Sequence, residues 1–329
     1  MNKHMPIIGV TMGDPSGIGP EIILKSYLDD NIKSNRLIVI GDFGVMSAMA
    51  EKLRISTIKL NKVNSVSECK FDEQILNVYD LNNVDILKLK PGKVQAMSGN
   101  AAFEYVKKAT ELAMKKKIDA IATAPLNKEA MHKAGHVYPG HTEILAKFTE
   151  AKDYAMFLYD EALRVIHVST HISLLDAIKG LRKERVAAVI DLAHNTMIKL
   201  GYENPRIAVA GINPHAGEGG LFGDEEIKEI IPAIKLKRSE GINVEGPEPP
   251  DTVFLRAKEG SFDVVVAMYH DQGHIPLKLL GFHSGVNITV GLPIIRTSVD
   301  HGTAFGKAWK GIANESSMKE AIKLAIKLA

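Results

Sequence analysis

An apolar run at residues 264–268 stops abruptly and gives way to Tyr269, His270, Asp271 and Gln272, then His274, Lys278, Asn287, Arg296, Asp300 and His301. These side chains can do chemistry together. Neutral imidazoles hold divalent cations, ammonium and guanidinium groups neutralise an anionic substrate, and carboxylates orient imidazoles or accept protons. Consecutive apolar residues have the pattern of a strand covered on both faces in a parallel sheet. Polar residues delivered by loops at the carboxyl end of such a strand stand where open α/β sheets bind ligands.

The arrangement recurs. A strand over 163–168 ends in Ser169, Thr170 and His171, and another over 206–210 ends in GINPHAGEGG, which carries His215. His171, His215 and His270 therefore occupy equivalent places after separate strands. A lone histidine there is more often a hydrogen-bonded structural residue, but three with one placement favour a facial set for a divalent cation with positions open to substrate. Asn213, Glu218, Asp224, Asp271 and Gln272 are the available orienting partners. His167 and His194 lie in apolar or helical surroundings and take no role. A strand over 119–123 empties into a segment with Asn127, Lys128, His132, His136, His141 and Thr142. Its Gly-His-Thr-Glu run is either a helix start capped by Thr142 or a ligand contact. Ligand contact is preferred for His141 and Thr142, and solvent for His132. Asp251, after Pro247, Pro249 and Pro250, is either a positioned base or an N-cap.

The elements that must hold these residues follow from periodicity. Residues 7–11 read as a strand, and GDPSGIGPE as a loop opening a helix, with Ser16 as a cap, Pro20 in its first turn and Glu21 at its positive end. The glycines at 13, 17 and 19 do not have dinucleotide-fingerprint spacing, so a nucleotide cradle and a structural turn both stand. Residues 36–41 are a second strand with a helix over 45–53 behind it, and 54–89 is polar and interrupted. Amphipathic helices are expected over 100–117 and 316–329. The chain has 329 residues, 45% of them hydrophobic, enough for two lobes with their own cores. Lys plus Arg total 41 and Asp plus Glu 39, so there is no broad basic field for nucleic acid or an anionic membrane, and small-molecule partners are expected. Cys69 alone permits no internal disulfide, and MNKHMPIIGV lacks the long apolar core of a signal peptide, so a cytoplasmic enzyme is expected.

Seven motifs, GDPSGIGPE, PGHTE, STH, NPHAGEGG, PPDT, YHDQG and NITVGLPIIRTSVDHGTA, resemble in this order the 4-hydroxythreonine-4-phosphate dehydrogenase (PdxA) family over nearly the whole chain. The resemblance implies a two-lobed α/β fold of the isocitrate/isopropylmalate dehydrogenase type, with α/β/α layers and an active-site cleft between the lobes. The first lobe would be residues 1–127 plus 284–329 with the cofactor loop, and the second 128–283 with metal and dimer contacts. It further implies a homodimer whose active sites use both subunits, and a nicotinamide site that is not a Rossmann unit. The family's metal ligands fall on His171, His215 and His270, and its substrate contacts on His141, Thr142, Lys278, Asn287 and Arg296. Asp251 and Lys278 are the catalytic candidates, and Asp300, His301 and Gly302 the NAD-binding ones.

Around residues 123–143, 153–159, 165–174 and 269–282 the wording is closer to the D-threonate/D-erythronate 4-phosphate dehydrogenase branch than to the vitamin B6 biosynthetic enzymes. That branch implies NAD-dependent, metal-dependent oxidation and decarboxylation of D-threonate 4-phosphate or D-erythronate 4-phosphate to dihydroxyacetone phosphate and CO2. Zinc, cobalt, nickel, manganese or magnesium would supply one ion per site. The alternative substrate is 4-hydroxy-L-threonine 4-phosphate. A metal-dependent phosphatase or aldolase, or a sugar-phosphate sensor, is the remote one.

Overall fold

The computed structural model describes residues 5–281 and 285–329. Among them the strands are β1 (Ile7–Thr11), β2 (Arg36–Gly41), β3 (Lys59–Val63), β4 (Ile75–Asp80), β5 (Ala120–Thr123), β6 (Ala155–Tyr159), β7 (Arg164–His167), β8 (Ile207–Ala210), β9 (Val244–Glu248), β10 (Val264–Ala267), β11 (Val286–Val290) and β12 (Ile295–Val299). The chain divides into two compact units, Met1–Lys152 with Leu292–Ala329, and Asp153–Gly291. No helix among the described residues is long and apolar enough to cross a membrane.

In the first unit the strands run in the order β3-β4-β2-β1-β5-β12, all parallel. Successive residues of β1, β2 and β5 are buried rather than alternate ones, because both faces of the sheet are covered. The helices Ala96–Met114 and Ser316–Leu328 both lie against β1 and β5. Ile8, Val10, Ile38 and Ile40 are fully enclosed, each contributing roughly 2 kcal/mol relative to an exposed side chain. β3 and β4 lie within the segment 54–89 that reads as polar and interrupted. β3 is an edge strand, KLNKV, exposed or half-buried at every residue but Val63, so it has no apolar run to betray it.

The helix Lys128–Lys133, capped by Asn127 Oδ1 accepting from Ala130 N at 2.8 Å, packs on Ala96–Met114. Contact is backbone to backbone at Gly99, where a Cβ would stand 2.1 Å from the Ala130 carbonyl. The helix His141–Thr149 packs on the same long helix. This packing places residues 128–152 in the first unit, not in the second lobe where the expected boundary put them.

The second unit has the order β11-β6-β7-β10-β8-β9, antiparallel at β11/β6/β7 and parallel from β7 to β9. Pairing of β11 with β6 assigns residues 286–290 to this unit, against the expected boundary at 284. Ala267 faces His167 across β10/β7 and Val266 faces Val209 across β10/β8, so the three strands finish at one level. The segment after β10, expected as loop, is the helix His270–Gly281. Pro276 inside it conceals the helical pattern in the sequence. His270, His274 and Lys278 consequently recur along one helix face, at the four-residue spacing that stacks side chains.

Candidate active site

In the second unit the site is built on the shared end of β7, β10 and β8. His270 opens its helix, and its Nδ1 lies 2.6 Å from Asp271 Oδ1. A carboxylate only accepts, so Nδ1 carries the proton and Nε2 keeps its lone pair. The hydrogen bond from His270 holds the Asp271 carboxyl below its ordinary range. The His270 ring stacks on His274, 3.7 Å between centroids and 11° between planes, and the His171 ring stands 5.9 Å from that of His270.

His274 is buried, donates Nδ1–H to the His270 carbonyl at 3.0 Å, and is pulled down to about 4, mainly by burial and next by the neighbouring His270. His167 lies 4.8 Å behind His274 and is lowered to about 3 by burial. Its approach needs Gly273, where a Cβ would be 2.4 Å from His167 Nε2. His215 is exposed on the loop after β8, its ring 6.4 Å from Phe222. Among the described residues no group of three or more His, Cys, Asp or Glu side chains is disposed to hold a metal ion. The donor chemistry of His171 and His270 fits an imidazole-bound cation. His215 shares their sheet edge without completing a ligand set as it stands. Lys278 and Asp251 are exposed, and Asn287 on β11 has its Oδ1 buried without a hydrogen-bond partner. Thr252, not Asp251, occupies the N-cap of the helix Val253–Lys258.

The first unit carries a second cluster. Arg296 on β12 is 2% exposed, and its Nη2 and Nε donate to Thr123 Oγ1 at 2.7 and 3.2 Å. Burial pulls the guanidinium down to about 9, opposed by the charge of Glu143. His141 begins its helix after Gly140, so Thr142 lies within the first turn and is not the cap. Burial, then the charges of Arg296 and Lys128, hold His141 well below the ordinary imidazole range, and a hydrogen bond to the Ala124 backbone opposes them. Its Nε2 is buried with no partner. A neutral imidazole, two cations and a helix N-terminus together suit an anionic oxygen-rich ligand.

Asp300, His301 and Gly302 follow β12, with Asp300 N on Ser317 Oγ at 3.3 Å and His301 Nδ1 on the Gly302 carbonyl at 3.0 Å. Their loop leans on GDPSGIGPE through Ile18 N to Thr303 O at 3.2 Å and Trp309 Nε1 to Pro15 O at 2.9 Å. The glycines of that motif are packing residues. A Cβ at Gly19 would be 2.1 Å from the Met12 carbonyl, and one at Gly13 2.4 Å from the Pro125 carbonyl. Ser16, expected as a cap, instead pairs its hydroxyl with Ser98 at 2.7 Å.

The family described as pyridoxal phosphate biosynthetic protein PdxA matches residues 33–325. The chain belongs to the PdxA family. A D-threonate 4-phosphate dehydrogenase of Pectobacterium atrosepticum is 54% identical over 323 residues, covering 98% of this chain and 99% of the relative. The crystal structure of a 4-hydroxythreonine-4-phosphate dehydrogenase from Klebsiella pneumoniae superposes with a TM-score of 0.92 at 51% identity, covering 100% of this chain and 99% of that one. A β-decarboxylating dehydrogenase from Thermococcus kodakarensis, 12% identical with a TM-score of 0.50 over 98% of this chain and 83% of its own, shares the fold. The expected isocitrate-dehydrogenase-type fold is therefore the fold of this PdxA-family chain, and a PdxA-type dehydrogenase is an enzyme.

Three residues of this PdxA-family chain escaped the sequence reading. Thr123 passes for the end of an apolar strand, and Glu226 for one of an acidic run. Asp14 passes for a turn residue, yet it is fully buried, with Oδ1 accepting from Ser16 N at 2.8 Å and Oδ2 unpartnered. Burial raises its carboxyl to about 7. The folded state thus keeps a proton that the unfolded chain releases near pH 4. Stability from this residue is complete below about pH 4 and is lost as pH rises to about 7, by on the order of 4 kcal/mol. Asp14→Asn should therefore match the parent near pH 4 and exceed it increasingly up to about pH 7, as read from urea midpoints. Parallel pH profiles for the two proteins would contradict the burial argument.

Proposed function

We propose that this PdxA-family dehydrogenase uses NAD to oxidise and decarboxylate D-threonate 4-phosphate or D-erythronate 4-phosphate, giving dihydroxyacetone phosphate and CO2. The observation that carries the reading is the common ending of β7, β10 and β8, which sends His171, His270 and His215 to one sheet edge with the first two ring to ring. The likeness to the D-threonate 4-phosphate dehydrogenase supports the substrate class.

We assign one divalent ion, from zinc, cobalt, nickel, manganese or magnesium, to His171, His215 and His270, three imidazoles favouring the first four over magnesium. When bound, it supplies a Lewis acid that polarises the substrate hydroxyl and carboxylate oxygens. Asp271 fixes the His270 tautomer for this role. Arg296, held by Thr123, and Lys278 neutralise the phosphate, Arg296 with paired donors. His141, through its unfilled Nε2, joins Thr142 and Asn287 in holding the substrate. Hydride leaves C3 for NAD on the Asp300, His301 and Gly302 loop, while the hydroxyl proton passes to the Asp251 carboxylate, the Lys278 ammonium staying charged. The resulting ketone lies β to the carboxylate, so CO2 departs and the enol is reprotonated at C2.

We also assign a homodimer. Leu174, Leu175, Leu221, Phe222, Ile275 and Leu279 are exposed on the segments that follow β7, β8 and β10, Leu279 by 81% and Leu221 by 72%. Exposed apolar side chains on the segments leaving one sheet edge mark an association surface, and a second copy of the chain is its proposed occupant.

Each assignment has its own measurement. His270→Ala and His215→Ala should keep the parent circular dichroism while losing bound metal and at least about a hundredfold in kcat/KM; full metal content in either variant would remove that residue from the ligand set. With one metal-loaded preparation, D-threonate or D-erythronate 4-phosphate should exceed 4-hydroxy-L-threonine 4-phosphate by about a hundredfold or more in kcat/KM, because an amine and a hydroxyl demand different partners. The reverse preference would move the protein to vitamin B6 synthesis. The parent should sediment as a dimer and Leu279→Asp as a monomer, and a parent that is monomeric at micromolar concentration would refute the dimer.

A further inference from the structure

The loop after β8 is folded in an unusual way. His215, Ala216, Gly217, Glu218 and Gly219 all have left-handed backbones, with φ of 53°, 55°, 81°, 43° and 66°. Three of them carry a Cβ, which disfavours this region of backbone space. Something else in the structure must hold them there.

Glu226 is buried against this turn. It is 1% exposed and begins the π-helical segment Glu226–Ile230. Its Oε1 accepts from the backbone N–H groups of Ile212 and Asn213, both at 2.8 Å, and its Oε2 accepts from Asn213 Nδ2 at 2.9 Å. The turn closes around the carboxylate so tightly that a Cβ at Gly217 would lie 2.8 Å from Glu226 Oε2, and one at Gly211 3.2 Å from Oε1. A π-helical turn and a run of left-handed residues on the two sides of one buried carboxylate are devices found where a side chain has to be aimed.

We propose that Glu226 is the positioning residue for His215. Its carboxylate folds the 212–219 turn and so sets where the His215 imidazole stands on the sheet edge shared with His171 and His270. This rests on the reading of His215 as a metal ligand.

The test uses metal-stripped full-length protein and cobalt(II) as the probe, with amide hydrogen exchange as a second readout. In Glu226→Gln the new amide sets donor against donor at Asn213, so cobalt Kd should rise about tenfold, and the Ile212 and Asn213 amides should exchange at least about tenfold faster. In Glu226→Ala both effects should be larger, with kcat falling more than KM changes. Adding Ala216→Gly to Glu226→Gln removes one unfavourable left-handed Cβ and should recover part of the cobalt affinity, which a general loss of stability would not predict. If His215→Ala loses cobalt while both Glu226 variants bind it like the parent, the proposal fails and the ligand reading stands. If His215→Ala itself binds cobalt like the parent, the ligand reading fails and the proposal falls with it. Unchanged exchange at Ile212 and Asn213 in the Glu226 variants would overturn the clamp directly.

Discussion

Parallel pairing of β10 between β7 and β8 is the constraint on which the second unit's chemistry depends. Backbone groups buried on both faces of a sheet must find partners in neighbouring strands, and here the register that satisfies them also ends the three strands together. The segments leaving that edge have no choice about where they start. His171, His270 and His215 are brought to a common rim by main-chain hydrogen bonding, before any contact among the imidazoles themselves.

The first unit meets a different demand. A guanidinium enclosed as Arg296 is loses its hydration and needs compensating hydrogen bonds. Thr123 supplies an oxygen that orients the planar group, and Glu143 acts on it through its field. His141 is kept neutral beside it by the same burial and positive field.

Two features go against folding stability and are retained. Left-handed Cβ-bearing residues cost roughly 1–2 kcal/mol each, and the loop bearing His215 has three in succession with two glycines. Asp14 keeps a carboxyl in a fully enclosed place, with one oxygen unpartnered, at the end of β1. Both lie at carboxyl ends of parallel strands, where function rather than stability selects residues.

Sequence alone determined the α/β class, most buried strands and the residues able to do chemistry, because apolar runs that end in His, Asp, Lys or Arg encode both the strand and its functional end. Seven ordered motifs determined the family. It could not reveal β3, whose edge position leaves no apolar pattern, nor the helix His270–Gly281, masked by Pro276. Nor could it show that the glycines of GDPSGIGPE are there for close backbone packing. Tertiary structure alone decided that residues 128–152 belong with the first unit, that Thr123 holds Arg296, and that Glu226 grips the turn of His215. Those facts depend on register, helix packing and burial between residues far apart in the chain, and such long-range terms leave no local periodicity to read.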